Sequence, residues 1–266
     1  MPTPLPSTRL DGLHALVCGA SAGIGRAAAL ALADAGAELT VLARSADKLA
    51  ALLPLLLEAG APAARALVAD LDQREHLGRQ IASLLEAHGP VQVLVNNTGG
   101  PPPAPLLESD EAAFTTAFGR HVLASHLLVR ALLPGMRAAG YGRIVNVISL
   151  SVREPIPMLG VSNTIRGAMA SWAKTLAMEL PPGVTVNNVL PGYTDTERLG
   201  SLSQAVAARQ GLTAEEVQGA WCAQVPEARL GQPAELGAVI AFLASPAAAY
   251  LRGASIPVDG GRLRCL

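Results

Sequence analysis

The sequence predicts an α/β protein built on one parallel, doubly wound sheet. Three observations predict it. Short strand-like apolar runs alternate with helix-period segments along the chain, the pattern of strands joined by right-handed helical crossovers. Half of the 266 residues are hydrophobic, yet only 3% are aromatic and 15% charged. Ala, Val and Leu supply the apolar mass, which suits strands covered on both faces by helices. Finally, no linker, repeat or low-complexity block interrupts the alternation, so residues 1–266 read as a single domain.

The first strand is HALVC (14–18), followed by a small-residue helix over 23–36 that stops at Gly36. LTVLA (39–43) is the second strand, with a helix over 46–58. ALVAD (66–70) is the third, and residues 73–88 form the next helix with Asp72 as its N-cap. VQVLVNN (91–97) is the fourth strand, and the prolines at 101–105 make a stiff loop. Residues 109–138 are largely helical, RIVNVIS (143–149) is a strand, and a helix over 162–180 is stopped by Pro181 and Pro182. VTVNNVL (184–190) is the sixth strand. An irregular helical excursion follows at 197–224, then a helix over 234–245 and a last short strand, ASIPV (254–258). The expectation is about seven strands flanked by helices.

Several function classes are disfavoured. A net charge of −1 gives no electrostatic reason to bind nucleic acid or an anionic membrane. Cys18, Cys222 and Cys265 are far apart and odd in number, which predicts neither a disulfide framework nor a metal cluster. There is no CxxC and no HExxH, and the contexts of Ser149 and Ser162 lack the G-x-S-x-G elbow of a hydrolase. The start, MPTPLPSTRLDG, lacks a signal-like apolar core, and AVIAFLAS ends at Pro246, short of the roughly 20 residues a bilayer span needs. The expectation is a soluble cytoplasmic protein.

CGASAGIG (18–25) lies between the first strand and the first helix. Gly19, Gly23 and Gly25 allow a tight turn and a close approach of backbone to a pyrophosphate, and the helix N-terminus beyond supplies N–H groups. The other reading of the same loop is a tight connection with close helix–strand packing.

These residues resemble the short-chain dehydrogenase/reductase signature TGxxxGIG, with Cys18 in place of Thr. The resemblance runs from about residue 10 to 261. ADL (69–71) resembles the family's adenine-contacting segment, and NNTG (96–99) its NNAG motif. NNVLPGYTDT (187–196) resembles the segment beside the nicotinamide, and RLGQPAEL (229–236) and VDGG (258–261) the C-terminal motifs. The resemblance implies a Rossmann fold and a dinucleotide held by Gly19, Ser21, Ala22, Gly23, Ile24 and Gly25, by Asp70 and Leu71, by Asn97, Thr98 and Gly99, and by Pro191, Gly192 and Thr194. At the end of the second strand stand Ala43, Arg44 and Ser45, where an NAD enzyme places a carboxylate. No acid repels a 2′-phosphate there and Arg44 offers it a charge-assisted fork, so NADPH is favoured over NADH. Ala22 lacks the basic residue many NADP members carry in this loop.

The family works with an Asn–Ser–Tyr–Lys set. Ser149 matches its Ser. The family spacing then places Ser162 at the Tyr position, Arg166 at the Lys position and, counted back from LLPGM (132–136), His121 at the Asn position. A Ser hydroxyl is a far weaker acid than a phenol, and Arg stays protonated, so Arg166 can hold a ribose hydroxyl or phosphate but not relay protons. His121 can donate near neutrality if it faces the pocket; otherwise it is a packing residue. Ser162 can equally be the N-cap of the helix it precedes. Three readings follow. One is a divergent NADPH-dependent reductase, resembling 3-oxoacyl-[acyl-carrier-protein] reductases, acting on a small carbonyl or alcohol substrate covered by residues 193–230. The second is a nucleotide-binding or ligand-sensing protein that has lost turnover. The third is a structural partner that needs no nucleotide. The resemblance also implies a homodimer or homotetramer.

Overall fold

A computed structural model describes residues 6–265; the Pro-rich first five residues lie outside that range. Seven parallel strands form one sheet in the order β3-β2-β1-β4-β5-β6-β7. They are β1 (His14–Cys18), β2 (Glu38–Ala43), β3 (Ala64–Val68), β4 (Val93–Asn96), β5 (Gly142–Val147), β6 (Val184–Pro191) and β7 (Ser255–Val258). The helices are α1 (Gly23–Asp34), α2 (Ala46–Glu58), α3 (Arg74–His88), α4 (Glu111–Phe118), α5 (Ala124–Ala139), α6 (Gly160–Glu179), α7 (Glu197–Gln210), α8 (Ala214–Cys222) and α9 (Pro233–Ala244). The doubly wound Rossmann reading is borne out.

The apolar runs of the sequence become central strands. Every residue of β1, β4 and β5 is buried, whereas edge strand β3 is half-buried. Two cores result, one on each sheet face. Leu32, Leu49, Leu52, Leu56 and Ile240 pack on one, and Leu77, Ile81, Leu128, Leu132 and Met136 on the other. The small residues of α1 let α9 come close: a Cβ on Gly237 would lie 2.7 Å from the Ala27 carbonyl oxygen.

A line of buried amides crosses the sheet. Asn96 donates to Asn146 at 2.9 Å, Asn146 to Asn188 at 2.9 Å, and Asn188 to the Ser255 hydroxyl at 3.0 Å. These four residues are register partners on β4 to β7.

Some boundaries differ from expectation. Gln73, not Asp72, is the N-cap of α3, and it makes no side-chain cap bond. Asp72 is drawn away by an ion pair with Arg120, which outweighs a local cap. The stretch 109–138 is largely helical as expected, with α4 passing into α5 through a π-turn over Gly119–Leu123. β3 starts and ends two residues before ALVAD, because its register with β2 ends at Ala43 opposite Val68.

Candidate active-site cleft

The order of the sheet places a crevice at the carboxyl ends of β1 and β4, where the chain has crossed from one half of the sheet to the other. Ligands of open α/β sheets bind at such points. A cavity of about 720 Å³ fills it.

One end of the cavity is formed by the glycine loop. Gly19 and Gly23 have φ of +60° and +53°, where a side chain would be strained. Gly19, Ser21, Ala22, Gly23 and Ile24 line the cavity. Gly25 does not; it is buried beneath the loop, and a Cβ there would lie 2.2 Å from the Gly19 carbonyl oxygen. Its contribution is close packing rather than contact. Ala22 is the N-cap of α1 and supplies no side-chain bond. The first-turn N–H groups therefore keep no side-chain acceptor and suit an anion. Asn97 pins the loop, its amide reaching the Cys18 and Gly19 carbonyls at 3.3 and 3.2 Å. Arg44, Ser45, Asp70 and Leu71 continue the same wall. Arg44 is exposed, while Ser45 caps α2 by accepting from the Lys48 N–H at 3.4 Å. These groups fit a dinucleotide phosphate chain.

The other end gathers Ser149, Ser162 and Arg166, three of the residues that the sequence picks out as catalytic candidates. Ser149, Ser162, Arg166, Thr98, Gly99, Pro191, Gly192 and Thr194 all line the cavity. Ser149 Oγ accepts from the Ser151 N–H at 3.1 Å, so its own hydrogen is left to donate. Ser162 is not the N-cap of its helix: α6 begins at Gly160, and Ser162 stands in the first turn one helical turn before Arg166. Arg166 is buried, and its two terminal nitrogens donate to the Val147 carbonyl at 2.8 Å and the Thr98 carbonyl at 3.2 Å. It thus ties the ends of β4 and β5 together, which offsets the cost of burying a guanidinium. Burial and the charge of Arg198 lower its pKa to about 10, so it remains a cation at neutral pH.

His121 is not brought into the cleft. It is 2% exposed in the π-turn and lies behind the wall, in a small void shared with Asn97, Thr98 and Arg166. Burial first, then the charges of Arg166 and Arg120, push its pKa down to about 2. It is neutral in ordinary buffers and is not an imidazolium donor. The packing reading of this residue holds.

Several cleft residues stand outside the set of site residues that the sequence predicts. Lys48 lines the cofactor end and reaches Glu197 on α7 at 3.6 Å. Arg120 lines the wall, fixed by Asp72. Tyr193 faces the cavity and stacks on Trp221, with ring centroids 5.0 Å apart and 9° between planes. Arg198 and Arg262 also line it.

A sequence-family model described as Enoyl-(Acyl carrier protein) reductase matches residues 19–262. The chain is 34% identical to the 2-keto-3-deoxy-L-fuconate dehydrogenase of Xanthomonas campestris over 96% of its own length and 82% of the relative's. It is 32% identical to the 3-oxoacyl-[acyl-carrier-protein] reductase of Vibrio cholerae, over 95% and 98%. Among solved structures, the L-sorbose reductase of Gluconobacter frateurii complexed with NADPH and L-sorbose superposes with a TM-score of 0.90 at 28% identity, covering 97% of this chain and 99% of that one.

Proposed function

This chain belongs to the short-chain dehydrogenase/reductase family, and from that premise we propose that it interconverts a small carbonyl compound, 3-oxoacyl-like or another ketone, and its alcohol with NADP(H) as the hydride carrier. The observation that carries this reading is one continuous cavity joining the glycine loop at one end to Ser149 and Ser162 at the other.

The residues divide the work. The uncapped first turn of α1 would hold the pyrophosphate, and the Asp70–Leu71 segment the adenine. Arg44, Ser45 and Lys48 would hold a 2′-phosphate, which favours NADPH because no carboxylate occupies that strand end. The bound cofactor supplies or accepts the hydride. Ser149 would donate to the carbonyl oxygen and orient it, since its oxygen is already satisfied by Ser151. Ser162 is the nearest hydroxyl in sequence register to the missing phenol. Arg166 holds a positive charge at the carbonyl end without exchanging protons. Helices α7 and α8 would cover the substrate, and α5 and α6 would form the interface of a homodimer or homotetramer.

Calorimetric titration with NADPH and then NADH tests this reading. Binding with a clear NADPH preference is expected, and no binding of either by folded protein would overturn it. A second reading, nucleotide binding without turnover, is favoured by one observation: Arg166 is committed to two backbone carbonyls. The double change Ser162→Tyr with Arg166→Lys separates the two. Activity rises if the site is merely degraded and falls if it runs a mechanism of its own.

A further inference from the structure

We propose that the substrate is a short oxo acid whose carboxylate lies within one methylene of its reactive carbonyl group, and that Arg198 and Arg262 bind that carboxylate. The inference rests on the oxidoreductase reading above and names its substrate class.

The carbonyl end of the cleft has an excess of guanidinium groups. Arg166, Arg198 and Arg262 all line it, and among the described residues none of the three forms an ion pair with a carboxylate. The contrast with Arg120 is instructive, since it lines the same cavity but is neutralised by Asp72. Arg198 and Arg166 approach one another across Gly100. A Cβ built on Gly100 would lie 3.4 Å from an Arg198 terminal nitrogen, 3.8 Å from Ser162 Oγ and 4.0 Å from an Arg166 terminal nitrogen. Two cations and a hydroxyl therefore surround one small space. Arg198 is held there by a bond from one terminal nitrogen to the Pro101 carbonyl, which leaves most of its five N–H donors unspent.

Arg262 supplies a second, independent observation. Its Nε and one terminal nitrogen are buried without a partner, a condition native structures seldom leave unexplained. The guanidinium carbon sits 4.8 Å from the centroid of the Tyr193 ring, itself stacked on Trp221. That stack holds the plane by cation–π contact, and because Nε and one terminal nitrogen are sealed from solvent, the other terminal nitrogen is the donor left to the cavity. Asp259, three residues before it, forms no ion pair with it among the described residues and accepts instead from the Gly261 and Leu263 N–H groups at 3.1 and 2.8 Å. Unpaired, pre-held guanidinium forks match the planar, two-oxygen geometry of a carboxylate.

The test uses acetoacetate and its methyl ester as probes, titrated calorimetrically against the whole protein both with and without saturating NADP⁺. Acetoacetate is expected to bind about tenfold or more tightly than the ester. Arg198→Gln and, separately, Arg262→Gln should each shrink that ratio toward one while leaving the melting temperature and NADP⁺ affinity in place. Two sites are changed so that misfolding of one variant does not decide the matter. Equal binding of acid and ester, binding of neither, or a ratio untouched in both folded variants would overturn the anion site. Failure of NADP⁺ to bind would instead overturn the oxidoreductase reading, and the acid-to-ester ratio without cofactor would still judge the arginines.

Discussion

The two ends of the cleft follow different rules. At the glycine loop, function rests on backbone: turns that only glycine tolerates, an uncapped helix end and an asparagine pinning the loop. Few side chains line it, and apart from Lys48 and Arg120 they stand at positions the family resemblance names. At the other end the groups on offer are side chains, and where the family resemblance leads one to expect a phenol and a lysine, its spacing falls on Ser162 and the buried Arg166. A backbone device tolerates almost no substitution, because a Cβ has nowhere to go. A side-chain device can be exchanged piecemeal while the fold stays intact. The cofactor end therefore looks ordinary in this chain, and the carbonyl end does not.

Four changes would break or sharpen that contrast. The largest effect is expected from Gly25→Val, since even a Cβ would meet the Gly19 carbonyl oxygen at 2.2 Å. Dinucleotide binding measured by calorimetry should be lost altogether, with a lower melting temperature. Arg166→Ala comes next. It leaves the Val147 and Thr98 carbonyls without their donor, which should cost roughly 2–4 kcal/mol in urea unfolding. A cost below about 0.5 kcal/mol, the range of surface substitutions, would show that the arginine does not hold the strand ends.

Arg44→Ala should weaken NADPH by about tenfold and leave NADH nearly unchanged, the scale of one charge-assisted contact at an exposed site. Equal loss for both cofactors would show that Arg44 does not read the 2′-phosphate. The smallest effect concerns pH. Burial is the main cause that lowers the pKa of His14 to about 4, as it lowers that of His121 to about 2. In both cases the folded state resists the proton that the unfolded chain accepts near 6.5. Their contribution to stability is full above about pH 6.5 and is lost as pH falls below it, down to about 4 for His14 and about 2 for His121. His121→Asn should flatten the acid side of the melting profile, and an unchanged profile would remove His121 from the account.

The fold was legible because strands and helices differ in period, and the alternation of HALVC, LTVLA and their successors with helical stretches is strong. The glycine loop was legible for a related reason: glycines at turns are local signals. What escaped depends on distance in sequence. Asp72 looked like a cap because its partner Arg120 lies 48 residues on. The π-turn that buries His121 has no periodic signature of its own, so His121 was readable as a donor until its burial was seen. Lys48, Arg198 and Arg262 are charged residues like many others along the chain, and only the fold brings them to one cavity.

The amide line through Asn96, Asn146, Asn188 and Ser255 has a consequence for how the sheet assembles. All three bonds run the same way, from β4 toward β7, so the line has a direction and a fixed starting point. Parallel sheets pair strands that are far apart in sequence and form slowly, with time for wrong alignments. A slip of one residue between any two of these strands turns an asparagine to the opposite face, into apolar packing, with its amide unmet. Hydrophobic strands such as VLVN and VTVNNVL attract one another in many alignments; the asparagines make one of them chemically correct. The line works as a checksum on assembly, and it holds β4 and β5 in step beneath Thr98 and Ser149.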